Sequence, residues 1–141
     1  ACGCCLTLRT IGLFWLADSE SMQHKTLTFI SRHAPYGNNR AKLVMDAALA
    51  AAVFEQQVNF LFMDDGVFQL VQNQNAEFIS SKTIGRALET LELYGIEQVL
   101  VDAASLQERH IAPDDLSIPV KVLKAKELQQ LTKNSDVLIN L

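Results

Sequence analysis

The tightest constraint on this chain is its switching between two hydrophobic periods. Five short runs rich in β-branched and aromatic residues recur along it: "KTLTFIS" (25–31), "VNFLFMD" (58–64), "EQVLVDAA" (97–104), "IPVKVL" (118–123) and "DVLINL" (136–141). Each is bounded by polar or turn-forming residues, and continuous apolar runs of this length suit strands buried on both faces. Helical segments lie between them. "RAKLVMDAALAAAVFEQ" follows the turn-rich "RHAPYGNN", in which Asn38 or Asn39 can cap it. Its apolar residues cover most of the circumference, so it is expected to lie tightly against a sheet. "DGVFQLVQ" reads as a short helical turn, and polar "NQNAEF" follows. Ser80 or Ser81 then caps a helix with Ile84, Ala87, Leu88 and Leu91 at i, i+3, i+4 and i+7 spacing. Gly95 supplies its left-handed stop, and "AKELQQLTK" is the last helix. Strands alternating with helices close into right-handed crossovers. The expected fold is three-layer α/β/α, with a mostly parallel sheet of about five strands.

At 141 residues the chain fits one domain with a real core. A formal net charge of -4 implies no basic surface, which argues against direct nucleic-acid binding. "IGLFWLA" is far too short to span a bilayer, so no membrane partner is expected. All three cysteines, Cys2, Cys4 and Cys5, precede this stretch, so the body has no disulfide framework, which suits a reducing cytoplasm. Residues 1–21 show neither helical nor strand periodicity, and only Arg9 stands before the apolar stretch, a poor secretory signal. Met22 then runs directly into the first strand. The expected organisation is an extraneous or disordered extension over 1–21 and a single domain over 22–141.

In parallel sheets, ligands bind beyond the carboxyl ends of the strands. Three loops lie there: "SRHAPYGNNR", "MDDGVFQ" and "DAASLQERH". "HAPYGNN" joins a strand to a helix, yet it matches neither phosphate-binding glycine pattern. A turn set by Pro35 and Gly37, with Tyr36 packed over it, is the simpler account. Asp64 and Asp65 could bind a divalent cation, but Asp102 is the sole further acid in view. More simply, Asp65 caps the short helix and Asp64 is solvated. His33 and His110 have no serine, cysteine or carboxylate at triad spacing, so both read as water-exposed loop residues. C-x-C-C without a second pair or a histidine knuckle makes no zinc site, and a frayed terminus cannot activate a thiolate. No catalytic residue, metal or cofactor is assigned.

Three stretches, "FISRHAPYGNNRAKLVMDAALAAAVFE", "FMDDGVFQL" and "LYGIEQVLVDAASLQER", together resemble the TusC/DsrF branch of the DsrE/DsrF/DsrH-like family, over essentially all of 25–141. The resemblance implies a sulfur-relay complex. In such a complex, three homologous small α/β proteins form a heterohexamer with two copies of each. It takes sulfane sulfur from a carrier protein and passes it on, either to tRNA wobble-uridine thiolation or to intracellular sulfur oxidation. One paralogue carries a persulfide cysteine at the end of its third strand. That place is matched here by Val101 or Asp102, neither of which is cysteine.

The resemblance therefore implies an accessory, non-catalytic subunit of a cytoplasmic sulfurtransferase complex, partnered by DsrE/TusD-like and DsrH/TusB-like subunits. Its interface candidates are Asp64, Asp65, Gly66, Val67, Phe68, Gln69 and Leu70, with apolar Val67, Phe68 and Leu70 as the contacts. A subunit of this kind should also leave an apolar patch exposed when isolated. The alternative is a small-ligand or nucleotide-binding α/β module that uses the "HAPYGNN" loop.

Overall fold

The computed structural model describes residues 24–72 and 84–141. The extension 1–21 with its cysteines, the start at Met22 and the capping serines Ser80 and Ser81 lie outside the described residues. Among those residues, strands β1 (Thr26–Ser31), β2 (Gln57–Phe62), β3 (Gln98–Asp102), β4 (Lys121–Leu123) and β5 (Val137–Asn140) form one sheet. Their order is β4-β3-β2-β1-β5, and every neighbouring pair is parallel. The helices are α1 (Arg40–Val53), α2 (Ile84–Leu93), α3 (Ala103–Glu108) and α4 (Ala125–Asn134). A 3₁₀ segment, Asp64–Leu70, follows β2. The alternating α/β pattern and the five-stranded parallel sheet match the sequence expectation.

Strand residues alternate between faces, and the core divides accordingly. On one face Phe29, Phe60, Phe62, Val99 and Val101 pack with Val44, Met45 and Ala48 of α1, Leu88 and Leu91 of α2, and Leu106 of α3. On the other, Leu61, Leu100 and Leu123 pack with Leu128 and Leu131 of α4. The first crossovers step from β1 to β4 in one direction. The last, through α4, returns the chain past β1 to β5, and right-handedness then puts α4 on the opposite face.

Two local expectations need correction, and the choice between Asn38 and Asn39 is resolved. Helix α1 buries only one side, Ala41, Val44, Met45 and Ala48. Its Leu43 and Val53 are 56% and 64% exposed, because a sheet contacts one helix face whatever the composition of the others. Asn39 stands at its cap position without a side-chain bond; Asn38 Oδ1 instead accepts from the Arg40 N–H at 3.0 Å. Strand β4 is half the length of "IPVKVL", since Pro119 has no N–H to give a ladder. Ile118 and Val120 pack against the core from outside the strand. Gly95 does end α2 in the left-handed region, at φ 84°.

Candidate functional site

The carboxyl edge of the sheet is organised by "DDGVFQL". Asp64 adopts a left-handed backbone, φ 50°, which aspartate tolerates better than most residues. The turn aims its amide at Ser105 Oγ, 2.9 Å away. The Asp64 carboxylate accepts from Arg32 Nε at 2.8 Å. Asp65 turns the other way and accepts from Arg109 Nε at 3.1 Å and Nη2 at 2.9 Å. This hydrogen bond raises the Arg109 pKa above its ordinary value and keeps the guanidinium charged. The expectation of a capping Asp65 is thus corrected, while Asp64, its side chain 46% exposed, is both solvated and ion-paired. Met63 occupies the cap position, and each aspartate holds an arginine from a different loop. The pairs divide the two acids, and no group of three or more His, Cys, Asp or Glu gathers to hold a metal among the described residues.

The rest of the segment is pinned from below. A methyl group on Gly66 would run into the Ser31 carbonyl oxygen and sit 2.8 Å from its carbon, so backbone passes here against backbone. Gln69 is fully buried; its Nε2 donates to Ser31 Oγ at 2.7 Å and to the His33 carbonyl at 2.8 Å. Val67 and Leu70 have no exposed surface and belong to the chain's own core, contrary to the contact role expected for them. A 3₁₀ turn places three successive side chains around its axis, and these two face inward. Phe68 faces outward, 39% exposed.

At the end of β3 the expected loop "DAASLQERH" begins with helix α3, and Asp102 is its cap. The Asp102 carboxylate accepts from the Ala104 and Ser105 amides at 3.3 and 3.0 Å and from Ser105 Oγ at 2.6 Å. Ser105, nearly buried, therefore joins the β3 terminus to the Asp64 amide. Val101 is fully buried in the core. The Asp-Ala-Ala-Ser order is a capping signal that pattern reading passed over.

The "HAPYGNN" loop turns at Gly37, φ 102°, and Tyr36 is half-buried. His110 is exposed. His33 is half-buried rather than open to water, with Nε2 3.3 Å from Arg40 Nη1. Beside it an open pocket of about 740 Å³ is lined by Arg32, His33, Arg40, Leu43, Asp64 and Leu141. Sequence reading offered the "HAPYGNN" loop to a small ligand but passed over the two arginines that flank it, Arg32 and Arg40.

The sequence model of the DsrE/DsrF-like family matches residues 25–141. A protein named "Protein TusC homolog" from Pseudomonas aeruginosa is 35% identical over 117 residues, covering 83% of this chain and 98% of the relative. The "Intracellular sulfur oxidation protein DsrF" of Allochromatium vinosum is 37% identical over 92 residues, 65% of this chain and 68% of that one. Among solved structures, the ychN protein of E. coli superposes with a TM-score of 0.74 at 21% identity, covering 83% of this chain and 99% of its own, which speaks for the fold. The chain belongs to the DsrE/DsrF-like family.

Proposed function

We propose that this chain is an accessory, non-catalytic subunit of a cytoplasmic sulfurtransferase complex. It would assemble with DsrE/TusD-like and DsrH/TusB-like subunits into a heterohexamer, to which a sulfur carrier protein delivers. The complex serves tRNA wobble-uridine thiolation or intracellular sulfur oxidation, in keeping with the names borne by its TusC and DsrF relatives.

The observation that carries the reading is the state of the β3 terminus. A sulfur-carrying subunit needs a thiolate there, held by donors that favour an anion. In this chain the donors at that terminus are given to a carboxylate. Asp102 accepts from two amides and one hydroxyl, and it serves as a structural cap with no cysteine beside it among the described residues. Such a position contributes shape and rigidity to an assembly, and the chemistry falls to a homologous subunit. No helix among the described residues is long and apolar enough to cross a membrane, which fits a cytoplasmic complex.

The partner-facing part of "DDGVFQL" is Phe68, flanked by the Asp64–Arg32 and Asp65–Arg109 pairs. An exposed aromatic among fixed polar groups is the usual form of an interface anchor. Exposed Leu43, Val53, Phe54, Leu93 and Tyr94 add the apolar surface expected of an isolated subunit.

Co-expression with the two homologous subunits, followed by native mass measurement and transfer of radiolabelled persulfide sulfur, tests the proposal. The expected result is a hetero-assembly in which label passes through a partner and not through this chain. A monomer indifferent to its partners, or label on Cys2, Cys4 or Cys5 that chases to the acceptor, would overturn it.

A further inference from the structure

We infer that the open pocket beside β1 and β5 binds the oxyanion of a small phosphomonoester whose organic part rests against Leu43 and Leu141. The inference stands apart from the sulfur-relay reading, since a subunit of a complex can carry a ligand site of its own.

The pocket lies beyond the carboxyl ends of parallel strands, where ligands of such sheets bind. Its volume of about 740 Å³ is that of a small-molecule site. Two guanidinium groups from different elements line it, Arg32 after β1 and Arg40 at the start of α1. Arg32 commits Nε to Asp64 and has no further hydrogen bond among the described residues, leaving both terminal nitrogens available. Arg40 uses only Nη1, toward His33 Nε2. Two planar forks carried by different elements suit a group with three peripheral oxygens better than a flat carboxylate.

The donors are also held in place. The Asp64 carboxylate fixes the Arg32 fork, and His33 positions that of Arg40. The His33 backbone is itself tied down by the buried Gln69 amide. These contacts lessen the side-chain freedom lost on binding. Asp64 offsets one of the two arginine charges, so the affinity is modest. Leu43 and Leu141, 56% and 42% exposed, offer the organic part an apolar wall that inorganic phosphate cannot use.

The test is titration of the full chain with phenyl phosphate, inorganic phosphate and phenol, followed by calorimetry and amide chemical shifts. Phenyl phosphate should bind saturably, with Kd on the order of 1 mM or tighter, and shift amides at 32–43 and 140–141. Inorganic phosphate should bind several-fold more weakly and phenol not at all. Arg40→Gln should weaken phenyl phosphate about tenfold, while its unchanged melting temperature excludes a folding defect. Leu43→Ala should bring phenyl and inorganic phosphate closer in affinity. No saturable binding, equal affinity for the two phosphates, or an Arg40→Gln titration identical to wild type would overturn the assignment. None of these results depends on co-expressed subunits, so failure here leaves the complex-subunit reading standing.

Discussion

Replacing Gly66 by alanine tests whether "DDGVFQL" is clamped as tightly as its geometry states. The added methyl would strike the Ser31 carbonyl oxygen and lie 2.8 Å from the Ser31 carbon. Both are backbone atoms at the end of β1, so no side chain can rotate away to make room. That same carbonyl accepts from the Met63 amide at 3.0 Å, the last bond joining β1 to the residue after β2. Overpacking of this kind costs about 1–3 kcal/mol, and a weakened backbone hydrogen bond adds about 1 kcal/mol. The expected loss is therefore about 2–4 kcal/mol from a total stability of about 5–15 kcal/mol. For a domain of this size that corresponds to a fall in Tm of roughly 8–16 °C.

Gly37→Ala is the matched control. Nothing lies within 4 Å of a methyl there, and only the left-handed backbone, φ 102°, opposes it. Its cost should be about 1 kcal/mol. Thermal and urea denaturation by circular dichroism, with m unchanged, gives both numbers. A Gly66→Ala protein that melts within about 2 °C of wild type would refute the close approach, and with it the clamp.

Three further outcomes follow from the same edge of the sheet. Asp102→Ala removes a cap and strands two amides and a hydroxyl; it should cost about 2–3 kcal/mol by urea denaturation, and Asp102→Asn, which keeps an acceptor, should cost clearly less. Phe68→Ala should weaken capture of the homologous subunits by about 2 kcal/mol, roughly 30-fold in Kd, while lowering Tm by only a few degrees; a fall in Tm with unchanged capture would make Phe68 a core residue. Deleting residues 1–21 should leave folding, hetero-assembly and sulfur transfer through the reconstituted complex unchanged, and loss of transfer in the shortened chain would assign function to the opening cysteines.

The sheet was legible because strands buried on both faces leave a signal that survives without partners. Phe29, Phe60 and Leu100 could be placed in a core from their runs alone. Strand order was not legible, since β5 reaches β1 only through the long return over α4, and periodicity carries no record of that path. The site was half legible. Position favoured "DDGVFQL", but the inward turn of Val67 and Leu70 is set by 3₁₀ geometry and not by hydrophobicity. The arginine partners of Asp64 and Asp65 come from 32 and 44 residues away, a separation over which sequence gives no pairing rule.

That outcome changes what the "DDGVFQL" run says about function. A stretch whose glycine meets a strand terminus, whose glutamine is buried under β1 and whose aspartates hold arginines from two loops is under tight intramolecular demand. Those demands account for four of its seven residues, and packing in the chain's own core accounts for Val67 and Leu70. Phe68 faces outward, 39% exposed, on a turn that these contacts hold. Rigidity matters to an interface because an anchor already fixed in place loses little freedom on binding. The same clamp joins Ser31, Asp64 and Ser105 to Asp102, so displacing the β3 terminus would displace the turn bearing Phe68. Asp102→Ala should therefore weaken subunit capture as well as folding, although Asp102 is buried, and an Asp102→Ala/Phe68→Ala double variant should lose less capture than the two single losses combined. Strict additivity would show that the carboxylate at the end of β3 and the aromatic above it act independently, and that the clamp serves stability alone.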